Sequence, residues 1–472
     1  MNAAEMKDEA PLKLHPADFR VKVSCLLLGT CAWLLTTAIF SQGPVLVSRA
    51  PEGSQIFTRL DLATEASNIV PAAVVLLVAM DRLRLRPGAL SLALQCLSVA
   101  GAVLLAAKWD EVVGTHSVYL ILGAVVSGVV GSCSMVCIFA FAAKHFEAAA
   151  VKYLSVGVGV SGIVTTLLAG VQGLAQGGGG SSGCGGRNAS TSDGCAHDDR
   201  GGGVPTTRFS TSAFFVVVAV LNCSGVCACV YLIARSRVKQ SAEAADAAPL
   251  LLLSEEFSGA AALPSVAGLA TPLLPELAAQ RRKLHCNIWV TSATVFGVVG
   301  LLPYLVSDGD CGWALFLLNA AFYVGSLLGR LATDVVGSVP LRRCGWLNLL
   351  QLACFVVLLA TAAASMRACE VAPVPSAVSV LAVFVLTFCQ GHIFTVVLAE
   401  AARMGTSGSQ GLVGRDESAG EGADGGRCCG SLKPPPGSLS DASLVGLTNQ
   451  AGALFGSLLN FVLVAGGVLA KG

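Results

Sequence analysis

Amides, hydroxyls and one imidazole interrupt stretches of sequence that are otherwise apolar. They are Thr37, Gln42, Asn68, Gln172, Asn319, Tyr323, Gln390, His392, Asn449 and Gln450. Amides and a phenol offer paired donors and acceptors, which suits a neutral, planar, hydrogen-bonding solute. Taken singly, each reads equally as a contact between helices, worth about 0.6 kcal/mol. Their spread over separate stretches favours a polar path for the set. Arg330 is the costliest residue to bury, at about 2.5–3.5 kcal/mol by insertion scales. Asp334 follows one helical turn later and can neutralise it. The pair is either an inner gate or a structural pair that snorkels toward the headgroups.

Other chemistry is not supported. No Ser/His/Asp set, HExxH motif or pair of catalytic carboxylates occurs at a convincing spacing, so no catalytic residues are assigned and an enzyme is a poor reading. Cys223, Cys227 and Cys229 have no His partner at zinc-like spacing, so neither a metal nor a cofactor is expected. Carboxylates are scarce in the apolar stretches: Glu65 near an outer end, Asp334 already paired, Glu400 at an inner end. An ion-driven carrier usually holds an unpaired carboxylate at mid-membrane. On this reading its absence favours facilitated, uncoupled movement.

The elements that must position these groups follow from composition. Of 472 residues, 54% are hydrophobic and only 12% charged, against roughly 25% charged in soluble proteins. Mean hydropathy is +0.72. A soluble enzyme is excluded, and a net charge of +1 without a basic stripe argues against a nucleic-acid partner. The expected partner is the lipid bilayer, whose core takes about 20 helical residues to cross. Eleven stretches qualify, near 23–47, 62–80, 89–107, 117–143, 153–175, 210–234, 286–306, 314–337, 345–366, 376–400 and 441–469. The first is too long, and its small-residue pattern too poor, for a cleaved signal peptide.

Basic residues set the orientation. With the N-terminus in the cytosol, inner segments hold 21 of the 30 Lys and Arg. This obeys the positive-inside rule and puts the C-terminus outside. The Gly/Ser-rich loop 176–209 then faces outward and carries Asn188-Ala189-Ser190, an N-glycosylation acceptor. Cys184 and Cys195 flank that sequon closely enough to form a disulfide outside the cell. Segments 1–22, 235–285 and 403–440 are cytosolic, and the latter two read as disordered linkers. The expected fold is therefore all-α: a six-helix bundle over 23–234, a linker over 235–285 and a five-helix bundle over 286–469.

Gly157-Val158-Gly159-Val160-Ser161-Gly162 matches the dinucleotide pattern G-x-G-x-x-G. It lies inside an apolar helical run with no preceding strand, so it reads as a small-residue surface for close helix approach.

Collinear motifs give a resemblance. Trp33, Pro44-Val45-Leu46-Val47, Pro51-Glu52-Gly53 and Asn68-Ile69-Val70-Pro71 occur in order. Leu97-Ser98-Val99, Trp109, His116-Ser117, Phe139-Ala140-Phe141, Gln172-Gly173 and Arg208-Phe209-Ser210 continue the series. Gly300-Leu301-Leu302-Pro303 and Gln450 to Leu459 complete it. The chain resembles the eukaryotic riboflavin transporters along nearly its whole length. The resemblance implies a plasma-membrane carrier that moves riboflavin by sodium-independent facilitated diffusion and alternating access. For such a solute the candidate contacts, drawn from residue type, are Thr37, Phe40, Gln42, Asn68, Asn319, Tyr323, Gln390, His392 and Gln450, with Phe40 or Tyr323 stacking on the flavin ring. Departures occur where the family has Asn-Gly-Leu-Trp-Val-Glu-Leu-Pro and this chain has Thr37 to Pro44, and where a family acidic residue is Val158. Phe322-Tyr323-Val324-Gly325-Ser326-Leu327-Leu328-Gly329-Arg330 also resembles a motif of equilibrative nucleoside transporters, making a nucleoside or nucleobase the alternative substrate. A non-transporting receptor is the remaining alternative, without a folded extramembrane domain to support it.

Overall fold

The structure is a computed structural model describing residues 16–53, 55–80, 82, 86–146, 148–174, 207–255, 273–305, 313–335, 341–368, 377–410 and 441–465. The Asn188 sequon, Cys184 and Cys195 lie outside these residues, as does the side chain of Asp334. Thirteen helices run in order through the described residues. They are α1 Pro16–Ser41, α2 Gly43–Arg49, α3 Gln55–Ala66, α4 Ile69–Ala79, α5 Pro87–Lys108, α6 Val118–His145, α7 Ala148–Gln172, α8 Thr211–Glu255, α9 Leu273–Val299, α10 Trp313–Val335, α11 Leu341–Ala368, α12 Ala377–Gln410 and α13 Asp441–Ala465. A single 3₁₀ turn, Leu302–Leu305, follows α9.

Nine spans among the described residues are long and apolar enough to cross a membrane. The helices α9 and α13, at 27 and 25 residues, fall outside that set. Asn287, Thr291 and Ser292 on α9 and Asn449, Gln450 and Asn460 on α13 dilute their apolar character. Side chains such as Leu76, Val103, Val220, Val356 and Leu381 are exposed on the outer surface. In water they would form an aggregating patch, and in lipid they are solvated.

Two elements differ from the sequence expectation at prolines. The first stretch, expected unbroken over 23–47, ends as α1 at Ser41, and Pro44 opens α2. Proline has no N–H to extend the ladder, and its ring clashes with the carbonyl four residues back. The second, expected from 62, begins at Gln55 and breaks between Ala66 and Ile69. Pro71 opposes the Ser67 carbonyl, and the ladder tightens there, with Asn68 N–H donating to Glu65 O at 3.0 Å and Val70 N–H to Ser67 O at 3.0 Å. The earlier start carries Asp61 into the helix. A third difference is in 235–285, expected as a disordered linker. There α8 continues to Glu255 and α9 begins at Leu273, and the run Ala242-Glu243-Ala244-Ala245 has strong helix propensity.

The Pro51-Glu52-Gly53 turn joins α2 to α3. Gly53 has φ of 58°, a left-handed conformation that side chains other than glycine's rarely adopt. The Glu52 carboxylate accepts both the backbone N–H and the hydroxyl of Ser117, each at 2.9 Å, tying the turn to the start of α6. Burial works against the charge on Glu52, but those two bonds and Arg59 at 3.7 Å outweigh it and hold the carboxyl below the usual range.

The core is divided. One apolar cluster takes Leu34 to Phe40 of α1, Phe57, Phe214, Val298, Leu318 and Leu386. A second takes Cys25 to Ala32 of α1, Phe139, Leu154, Leu232 and Val397. Single helices contribute one end to each cluster. The cavity is lined from both, by Phe40, Val295 and Leu302 of the first and Met135 and Phe394 of the second.

Candidate functional site

The cavity encloses about 870 Å³ of atom-free space, part of it open to solvent, and is lined from α1, α3, α6, α7, α9, α10, α12 and α13. Its wall is aromatic on several sides. Trp33 and Phe296 have centroids 6.3 Å apart, Phe322 and Tyr323 5.3 Å, and Phe40 leans on Phe57 at 5.6 Å. Glycine lets the helices come this close. A Cβ at Gly157 would strike the Leu26 carbonyl of α1, and one at Gly162 would strike the Tyr323 ring. The Gly157–Gly162 motif is thus a packing surface, as its setting predicts.

Of the candidate contacts, Thr37, Phe40, Asn319, Tyr323 and Gln390 line the cavity together. The Asn319 amide donates to the Phe40 carbonyl at 3.5 Å, which fixes its orientation beside that ring. The other four stand behind the wall. Gln42 is fully buried and donates to Gln172 Oε1 at 2.7 Å, while Thr211 Oγ1 donates to Gln42 Oε1 at 3.3 Å. It ties the α1–α2 break to the ends of α7 and α8. Asn68 donates to Glu65 Oε2 at 2.5 Å and to the Gln450 carbonyl at 3.2 Å. His392 is buried and does not line the cavity.

Arg330 lines the cavity with two of its three guanidinium nitrogens hydrogen-bonded. Its Nη1 donates to Ser155 O at 2.9 Å and Ser155 Oγ at 2.8 Å, and its Nε to Ser326 Oγ at 3.5 Å. The guanidinium lies 4.6 Å from the Phe394 ring centroid. Ser326 in turn donates to Gln390 Oε1 at 3.0 Å, so the network spans α7, α10 and α12.

On the acidic side of the cavity, sequence reasoning named Glu65 and missed Asp61. Asp61, Thr64 and Glu65 on α3 line it, both carboxylates 2% exposed. Two buried carboxylates therefore face the cavity, Asp61 in addition to the Glu65 expected near an outer end. Asp61 lies one residue before the stretch expected over 62–80, inside the longer helix α3. The i, i+4 spacing of Asp61 and Glu65 was the signal that could have found it. Asn449, which accepts from Ser292 Oγ at 2.5 Å, also lines the cavity.

A family model described as solute carrier family 52, riboflavin transporter, matches residues 18–255, just over half of the chain. The chain belongs to that family. It is a multi-pass membrane transporter, not an enzyme, built around the cavity just described. Among solved structures it is similar to the xylose transporter XylE from E. coli in a partially occluded inward-open conformation. That match has 10% identity and a TM-score of 0.49, covering 93% of this chain and 90% of that one. It is also similar to a bacterial homolog of the human lysosomal transporter Spinster, inward-facing and unoccupied. There the identity is 12% and the TM-score 0.47, with 95% and 83% covered. No curated protein matches the chain.

Proposed function

We propose that this riboflavin transporter family member carries riboflavin itself into the cell, without sodium, by alternating access. The observation that carries the reading is the cavity wall, where rings of Trp33, Phe40, Phe296 and Tyr323 stand beside the Asn319 and Gln390 amides. A planar tricyclic flavin offers a π-face to the rings and an imide edge to the amides, and each stack contributes about 0.5–1.5 kcal/mol. Thr37, Phe40, Asn319, Tyr323 and Gln390 are proposed to contact it. Gln42, Asn68, His392 and Gln450 are proposed to act from behind the wall.

In this reading eleven spans form bundles of six and five, with the N-terminus cytosolic and the C-terminus outside, in the plasma membrane. Closing one core cluster while the other opens would expose the cavity alternately to each side. Arg330 with Asp334 is the proposed inner gate, Asn188 the glycan site and Cys184–Cys195 the outer disulfide. The deciding experiment is uptake of labelled riboflavin by cells expressing the chain, with unlabelled flavin or adenosine as competitor, with and without sodium. Saturable uptake competed by flavin alone and indifferent to sodium is expected. Saturable adenosine uptake without a flavin signal would overturn the substrate.

A further inference from the structure

The cavity's one described cation donates from Nη1 and Nε to Ser155 and Ser326, whereas its carboxylates have few partners. Asp61 and Glu65 lie four residues apart on one face of α3. Among the described residues neither forms an ion pair. Asp61 Oδ2 has no hydrogen-bond partner, and four buried polar atoms of α13 also have none: Ser457 Oγ, Asn460 Oδ1 and Nδ2, and Gln450 Nε2. Ser457 and Asn460 converge on Asp61. Ser457 lies beside the Asp61 carboxyl without a well-formed bond. A Cβ placed on Gly300 would run into the Asn460 amide and stand 3.4 Å from Asp61 Oδ2. The Glu65 carboxylate has one described donor, Asn68 at 2.5 Å.

The other titratable groups nearby are accounted for. Arg330 is held by Ser155 and Ser326, and Tyr323 lines the cavity from the same helix. Tyr304 reaches Thr58 of α3 at 3.4 Å, and Arg59 turns outward to Glu52. The helix α6 brings the thiols of Cys133 and Cys137, and α13 brings amides and hydroxyls. Two carboxylates one turn apart in an apolar domain cannot both stay ionised without a counter-charge.

We propose that Asp61 and Glu65 form a proton-carrying pair, completed by Ser457 and Asn460, that couples an inward proton to each substrate taken up. The empty pair holds one proton, and a second from outside water adds to the remaining carboxylate oxygen while the cavity faces out. The neutral loaded form reorients, and the same proton leaves to the cytosol. With an uncharged flavin each cycle moves one positive charge inward. The inference rests on the riboflavin reading above.

The test uses the full chain in proteoliposomes without sodium, comparing the wild type with Asp61→Asn, Glu65→Gln and Asp61→Glu. Two quantities are read: riboflavin counterflow at equal pH, and accumulation driven by acid outside. The wild type should accumulate flavin several-fold above equilibrium, as should Asp61→Glu. The Asn and Gln variants mimic the protonated carboxyl, so their counterflow should persist while accumulation falls to the equilibrium level. Wild-type uptake indifferent to the gradient would overturn the proposal. So would gradient-driven accumulation in both neutral variants, or loss of counterflow in both with wild-type thermal stability. Absence of riboflavin counterflow in the wild type would instead sink the substrate reading. Infrared difference spectra then decide the proton pair alone: a protonated-carboxyl band that titrates in the wild type should vanish in the Asp61→Asn/Glu65→Gln double variant, and its absence from the wild type would overturn the pair.

Discussion

Arg330 and the Asp61–Glu65 pair line the same cavity, but their surroundings are opposite in kind. The guanidinium donates to Ser155 and Ser326 and lies over Phe394, so its desolvation is offset by fixed partners on three helices. Asp61 faces an amide and a hydroxyl that are themselves unmatched. Several fixed partners make a charge part of the scaffold, because moving it breaks several bonds at once. Few partners leave a group free to exchange a proton or meet a solute. Placing both in one cavity gives the molecule a rigid wall and a responsive one.

The largest effect should come from removing the guanidinium. Arg330→Ala removes charge-assisted bonds worth about 1.5–3 kcal/mol each. It should lower both thermal stability and transport rate, seen by detergent thermal shift and initial uptake. Arg330→Lys should restore only part, since an ammonium cannot span Ser155, Ser326 and Phe394 together. A wild-type melting temperature in Arg330→Ala would erase the contrast between the walls.

Next come the rings. Phe40→Ala and Tyr323→Ala should each raise the riboflavin Km about 2- to 12-fold, the equivalent of a lost stack, with surface expression confirmed separately. An unchanged Km for both would move the flavin away from this wall. Gln42→Ala should behave differently although it comes from the same stretch of sequence. It leaves Gln172 and Thr211 short of a buried partner, costing about 1–3 kcal/mol of stability, while Km holds. A raised Km at normal stability would place Gln42 in direct contact with substrate.

The smallest effect concerns the outer turn. Because folding holds the Glu52 carboxyl below its usual range, its contribution is full above the unfolded carboxylate range and fades as pH falls through the folded value. Hydrogen exchange around residues 50–57 should therefore speed up in acid, and Glu52→Gln should flatten that dependence. An acid response unchanged in Glu52→Gln would remove the Ser117 latch from the explanation.

Much of the fold was legible because a bilayer demands it. Long apolar runs can satisfy their backbone in lipid only as helices, so the all-helical membrane fold was legible from hydropathy. The motif Pro51-Glu52-Gly53 was legible as a marker but not as a device. Its meaning depends on a positive φ at Gly53 and on Ser117, sixty-five residues away. Within the site, Thr37, Phe40, Asn319, Tyr323 and Gln390 were recognisable as polar or aromatic residues out of place in apolar helices. What hydropathy could not say is which face of a helix each occupies.

By itself the sequence determined that this chain is a helical membrane protein and which residues are too polar for lipid. These are properties of local composition, and they survive without knowledge of neighbours. Only the tertiary structure decided that Gln42 donates to Gln172, that Arg330 donates to Ser155 and Ser326, and that Asp61 Oδ2 meets no donor. Those outcomes turn on which helix packs against which. A buried polar group is structural or functional according to the partners that distant segments bring within hydrogen-bond reach.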